Sequence, residues 1–398
     1  MSAPDPTASP SPASSPVAND PTAPVPPPAG YRRTVLVLGF LAFVLAGGMH
    51  ALYGPSFPLF RARYGVGIDE VSAVVSAHFL GAFVTIALSG VLLRRFGYRP
   101  VLVVGSALLA AGLTQVALAP AWWVVLVGAT VAGFGFGLVD VGFNLLAARA
   151  FAPRAAPALN FLNATFGIGA VVAPLLVAAM APRLAVPFLA FAVLSVVVLV
   201  ATLRLPTPPP EREDGRSTPL IWSQVAGFVL LYFLYVAVEV GVTSWETEHL
   251  TPAFGAAAAA RFTSLYWGAI TIGRLLATPI SARLRPRHMV VGAASAATVF
   301  LALAHLTSAA PIAYVLVGFA LAPIFPTGLA WLTAAFPRRA EQVTSVAVAA
   351  ANLGPVATAP LIGIAVTAVG PSAIPTALTV LAVMLAVTVA WLGRKARV

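Results

Sequence analysis

Cysteine is absent from the 398 residues, lysine occurs once, at Lys395, and charged side chains make up only 9% of the chain. The first absence removes disulfide scaffolds, thiolate metal sites and cysteine nucleophiles together, and it leaves the redox compartment unreadable. The scarcity of charge, set beside 60% hydrophobic residues and a mean hydropathy of +0.94, excludes an ordinary soluble domain. A bilayer is the solvent this composition fits. The net charge of +11 does not point to nucleic acid, because the arginines are spread over loops and no basic cluster is interleaved with base-stacking aromatics.

What is present is a series of long apolar runs. With roughly 20 apolar residues per helical crossing, the sequence predicts twelve spans, at about 34–60, 71–93, 100–119, 121–148, 158–180, 184–203, 222–245, 262–282, 289–308, 311–334, 344–368 and 372–393. Each run is continuously apolar, so each has to satisfy its own backbone hydrogen bonds in lipid, which predicts helices rather than barrel strands. Residues 1–30 are rich in Pro, Ser, Ala, Asp and Thr, carry no Lys or Arg, and read as a disordered tail. The first apolar run follows Arg32 and Arg33 and is too long for a cleaved signal core.

Residues 205–221 are polar and proline-rich, a central cytoplasmic linker between an N-terminal six-helix bundle at 31–204 and a C-terminal one at 222–398. An N-terminus in the cytoplasm places eighteen of the 23 basic residues on the inner side. Arg61, Arg63, Arg183 and Arg261 fall outside, and Arg274 lies within a span. The positive-inside rule therefore predicts a multi-pass protein of the cell (inner) membrane with both termini cytoplasmic. The halves also echo each other: GFGFGLVDVGFNLLAARAF at 133–151 aligns without a gap to GFALAPIFPTGLAWLTAAF at 318–336. Ala173-Pro174-Leu175 in the fifth span recurs as Ala359-Pro360-Leu361 in the eleventh. Two six-helix repeats account for both matches.

Asp140 and Glu239 lie in the middle of apolar spans, one in each half. A charge at that depth costs roughly 2.5 kcal/mol or more, so it persists where it meets a cavity, a partner or a transported species. Asp140 and Asn144, four residues apart, share one helix face, where a hydroxylated ligand could bridge acid and amide. The structural alternative is that Asp140 bonds a neighbouring helix with no ligand role. Glu239 is followed at the same spacing by Thr243, and Arg274 is the one basic residue inside a span. Glu239 and Arg274 either neutralise each other in the C-terminal bundle or take part in binding and coupling.

Tyr266, Trp267, Trp245 and Trp331 offer aromatic faces of the kind that stack on sugar rings, with Trp267 the preferred contact, although Trp and Tyr also gather at membrane interfaces. His50 and His78 could carry protons or serve helix packing. Asn160 and Asn163 in the fifth span and Asn352 in the eleventh occupy related places, where amides bind hydroxyls or join helices. The run Gly133, Gly135, Gly137 lies in an apolar helix with no preceding strand, and close helix packing explains it better than a nucleotide loop. Pro174, Pro323, Pro326, Pro355 and Pro360 favour kinks or breaks.

Gly90-Val-Leu-Leu-Arg-Arg-Phe-Gly97-Tyr-Arg99, between the second and third spans, resembles the Gly-x-Leu-x-Asp-Arg-x-Gly-x-Arg signature of the major facilitator superfamily, with Arg94 standing where Asp is usual. Four further segments resemble its fucose permease and sodium-dependent glucose transporter branch. They are Gly-Leu-Val-Asp140-Val-Gly-Phe-Asn144, Tyr235-Val-Ala-Val-Glu239-Val-Gly-Val-Thr-Ser-Trp245, Tyr266-Trp267-Gly-Ala-Ile-Thr-Ile-Gly-Arg274 and Ile324-Phe-Pro-Thr-Gly328. Relatives in that branch carry an acidic residue in the first span, where this chain has Gly54-Pro55.

The resemblance implies an all-α membrane protein of twelve transmembrane helices in two bundles, working as a monomer by alternating access. It implies no enzyme, cofactor or resident metal. The expected cargo is a small polar solute, a sugar first, bound at midmembrane among Asp140, Asn144, Glu239, Trp267, Arg274, Asn160, Asn163, Asn352 and His50. No nucleotide-binding domain is recognised, so an ion gradient, proton before sodium, is the expected energy source. A proton-driven exporter of drugs or metabolites and a non-transporting sensor or scaffold are the alternatives.

Overall fold

The computed structural model describes residues 29–152, 155–206, 222–281 and 283–395, so the expected tail before residue 29 and the expected linker beyond residue 206 lie outside the described residues. The described residues are mostly helical, with short connecting turns and no strand. The first half contains α1 (Ala29–Tyr64), a short α2 (Ile68–Val71) leading into α3 (Ala73–Phe96), α4 (Tyr98–Leu118), α5 (Trp122–Ala150), α6 (Ala155–Met180) and α7 (Ala185–Thr202). The second half contains α8 (Trp222–Phe254), α9 (Ala256–Ser281), α10 (Pro286–Leu303), α11 (Ala310–Leu321), α12 (Ile324–Ala335), α13 (Ala340–Val369) and α14 (Ala373–Lys395).

With α2 and α3 taken as one crossing and α11 and α12 as another, eleven crossings are long and apolar enough for a membrane. The twelfth is α9, 26 residues long, whose hydropathy is lowered by Arg261 and Arg274. The tenth crossing breaks at Pro323, which lacks the donor a continuous helix needs, whereas Pro174, Pro355 and Pro360 are held inside unbroken helices. Helix α1 begins two residues inside the segment expected to be tail.

The glycine run of α5 is a packing device. A methyl group on Gly133 would sit 2.0 Å from the carbonyl oxygen of His78 in α3, and one on Gly135 would sit 2.5 Å from that of Gly105 in α4. Only glycine permits such backbone approach, and dispersion at close contact is what joins helices when lipid is as apolar as the side chains.

Twelve crossings return the chain to the side where it began, so the start of α1 and the end of α14 share one end of the molecule, here the terminal end; Tyr64 and Phe254 mark the far end. The bundles meet toward the far end. There α1 packs on α8, α2 and α3 on α13, and α6 on α9. Ser76 Oγ donates to the Val356 carbonyl at 3.0 Å, and Arg61 Nη1 to Glu248 Oε2 at 3.0 Å. At Gly54 the approach to α8 is so close that a methyl group would lie 2.0 Å from the Thr243 carbonyl oxygen.

Toward the terminal end the same faces part. On α6, Gly167 and Val171 abut Thr271 and Gly268 of α9, while Asn163 and Asn160 on the same stripe are exposed. On α3, Ser76 touches α13, while Leu80 and Val84, one and two turns on, are exposed. A cleft between the bundles therefore opens at the terminal end and closes toward the far end.

Candidate functional site

Helix periodicity assembles the closed end of this cleft. His50 is on α1, Phe136 on α5, Phe166 on α6 and Trp267 on α9. Ring centroids lie 6.1 Å from His50 to Phe136, 5.6 Å to Phe166 and 5.6 Å to Trp267. The His50–Trp267 contact joins the two bundles edge to face at 86°. Phe136 and Asp140 are one turn apart, so the acid lies on the same wall as the ring that touches His50. Asp140 is half-buried, and Asn144 Nδ2 donates to its backbone carbonyl at 3.0 Å and to its carboxylate at 3.4 Å. The amide thus turns back on its own helix, and the carboxylate retains capacity to accept from a ligand.

The opposite wall carries a polar network on α8 and α9. Arg274 Nη2 donates to Glu239 Oε1 at 3.2 Å and to the Tyr235 hydroxyl at 3.4 Å, and Tyr235 donates to the same carboxylate oxygen. Tyr266 donates to the Glu239 carbonyl at 3.0 Å. Glu239 and Tyr235 are one turn apart on α8, so the arginine and the phenol meet the acid together. The Glu239 side chain is 7% exposed and that of Arg274 27%, which leaves the guanidinium partly open to the cleft.

Trp267 is 1% exposed, and its Nε1 donates to Thr243 Oγ1 at 2.9 Å, leaving its ring to pack on His50, Phe166 and Tyr266. Thr243 therefore orients Trp267 rather than completing a pair with Glu239.

The remaining expected residues fall in two groups. Asn160 and Asn163 are exposed on the α6 wall, with Asn163 Nδ2 bonded to the Leu159 carbonyl at 2.9 Å. Asn352 on α13 is 9% exposed and bonded to the Val348 carbonyl at 2.9 Å. Trp245 and Trp331, 0% and 2% exposed, pack on Phe57 and Phe228 away from the network. His78 is fully buried between Tyr53, Phe79 and Phe136, with neither ring nitrogen hydrogen-bonded, as is also true of His50. Among the described residues no group of three His, Cys, Asp or Glu could hold a metal ion. A dent between α4 and α5, lined by Ala110, Thr114, Gln115 and Leu118, has no charged side chain and lies away from this network.

Sequence reasoning missed Glu246, and Glu248 with its partner Arg61. It ended the seventh span at Trp245, where the run Glu246-Thr-Glu248-His249 turns polar, yet α8 continues to Phe254. The available signal was helical spacing: Glu246 and Thr243, like Glu248 and Ser244, continue the periodicity of the apolar segment.

Comparison with known proteins agrees with this architecture. A glucose/mannose transporter of Bacillus subtilis is 20% identical over 345 residues, spanning 81% of this chain and 85% of that protein. A sodium-dependent glucose transporter 1A of Mus musculus is 23% identical over 342 residues, spanning 74% and 80%. The crystal structure of a D-xylose-proton symporter superposes with a TM-score of 0.76 at 14% identity, over 90% of this chain and 97% of that one. The sequence pattern of the Major Facilitator Superfamily matches residues 39–314, more than half of the sequence, and the chain belongs to that superfamily of membrane transporters.

Proposed function

We propose that the protein is a secondary active transporter that carries a sugar through the cleft between its bundles, coupled to proton movement, with both termini in the cytoplasm. In this reading the terminal end is cytoplasmic and the conformation faces inward. The observation that carries it is the composition of the cleft's closed end. A half-buried Phe166, backed by the buried rings of Trp267 and Phe136, faces a wall with Asp140 and Asn144 on one side and Glu239–Arg274 on the other, while Asn163 lines the approach. Aromatic faces take the apolar face of a sugar ring, and acids and amides take its hydroxyls.

The carbohydrate relatives support the solute class, while the fold by itself supports none. Asp140, half-buried and without a cation bonded to it in its own helix, is the first candidate for coupling, and Glu239 the second. The test is uptake of labelled D-glucose, D-mannose and D-xylose into liposomes containing purified protein, under an imposed proton gradient, an imposed sodium gradient or neither. Accumulation under the proton gradient is the expected result. Accumulation under sodium alone reverses the coupling assignment, and no sugar flux under any gradient overturns the solute assignment.

A further inference from the structure

Glu246 lies in the turn of α8 that also builds the contact between bundles. Its neighbour Trp245 packs on Phe57 of α1, and Glu248, two residues on, holds Arg61 of α1. Successive helical residues diverge by about 100°, so Glu246 points elsewhere, into the C-terminal bundle. It is 0% exposed, and neither carboxyl oxygen has a hydrogen-bond partner. Thr263 and Tyr266 of α9 and Tyr314 of α11 are its polar neighbours. Tyr266 donates to the Glu239 carbonyl and Tyr314 meets His249, while Thr263, which meets Thr247, is the one hydroxyl placed to donate to Glu246.

The surroundings offer no counter-charge. Of the helices packed on α8, α1 contributes Arg61, bound to Glu248, and His50, set among aromatic rings beside Trp267. Helix α9 contributes Arg274, bound to Glu239, and Arg261, whose side chain is exposed. Helix α12 has no ionisable side chain, and those of α13 and α14 are Glu341 at the start of one and Arg394 and Lys395 at the end of the other, all at the terminal end. An ionised carboxylate taken out of water without a partner is penalised by several kcal/mol or more, and the group escapes by binding a proton.

We propose that Glu246 is a proton-carrying site: it holds a proton in this conformation, with the far end closed, and gives it up when that end opens. A neutral acid is compatible with the tight packing around Trp245, and a carboxylate needs the water that only an open far end admits. Protonation of Glu246 would therefore favour closure of the α1–α8 contact, and loss of the proton would favour its opening. The site deepens the proton-coupled reading and rests on it, but its test needs no solute.

Two measurements on the full chain decide it. In infrared spectra of purified protein at neutral pH, Glu246→Gln should remove a C=O stretch of a protonated carboxyl group that Glu239→Gln and Asp140→Asn retain; an undiminished band overturns the proposal. The chain has no native cysteine, so spin labels at Ala62→Cys and Ala253→Cys, both exposed at the far end, report the distance across it. That distance should lengthen as pH is raised from acidic to alkaline, and in Glu246→Gln it should stay short throughout. A Glu246→Gln distance that tracks the parent overturns the proposal.

Glu246→Met, neutral and of similar length, provides a second variant. Failure of both neutral replacements to fold would also overturn it, because both imitate the protonated acid. If the distance responds to pH through Glu246 while no sugar moves, the sugar assignment falls and this one stands. If protons drive sugar uptake while Glu246→Gln still responds to pH, the reverse holds.

Discussion

Exchanging Arg274 for leucine strands a carboxylate that is 7% exposed, leaving the Tyr235 hydroxyl as its bonded donor. Removal of one partner from a buried pair typically costs about 3–5 kcal/mol. The 27% exposure of the Arg274 side chain moves the expectation to the lower end, about 3 kcal/mol. Glu239→Gln is milder. It leaves the guanidinium 27% exposed and still bonded to Tyr235, so the loss should be about 1–2 kcal/mol. The double variant strands no acid and should lose less than the two singles together, with a coupling of about 1–2 kcal/mol. Unfolding free energies from denaturing-detergent titration of all four proteins measure the cycle. A double loss within about 0.5 kcal/mol of the summed singles would refute the claim that the pair is mutually neutralising.

Glu248→Gln removes the charged link to Arg61, which is 38% exposed and therefore screened; a penalty of about 1 kcal/mol on the closed far end should shift the equilibrium roughly fivefold toward opening, read from far-end spin-label distances. Asp140→Asn keeps size and hydrogen-bonding capacity but removes the charge, so gradient-driven sugar accumulation should be lost while exchange at equal concentrations survives; full accumulation at normal expression would move coupling to Glu239. Trp267→Phe keeps a ring against His50 but loses the bond to Thr243, and should reduce stability by about 1 kcal/mol with little change in sugar affinity, whereas Trp267→Ala should reduce both in thermal and binding assays.

The crossings were legible because each apolar run must be a helix in lipid, and Glu239 and Arg274 were legible as a pair because they are opposite charges embedded in adjacent runs. The limits of helices were less visible. Arg61 was assigned to a loop because α1 turns polar before Tyr64, yet the inner face of that turn is shielded by α8, and its arginine meets Glu248. The same shielding lets α8 continue past Trp245 through two glutamates, a segment that hydropathy alone would end. Trp245, Trp267 and Trp331 are equivalent as sequence symbols. Their separation into bundle contact, cleft floor and interior packing depends on which helix lies opposite, which only tertiary structure supplies. Asp140 was visible as a buried-span acid, but not that its amide neighbour bonds back to it.

The Gly54–Thr243 contact, too close for any side chain, lies unevenly along α1. At 1.5 Å per residue, about 37 Å of helix extends from it to Ala29 but only about 15 Å to Tyr64. If the bundles turn about this contact, α1 acts as a lever with unequal arms, and displacement at the terminal end is about 2.5 times that at the far end. A turn of about 10° would then carry the long arm roughly 6 Å and the short arm under about 3 Å. The short arm moves little but bears about 2.5 times the force applied to the long arm, so small shifts among the packed far-end contacts correspond to a wide opening of the mouth at the other end.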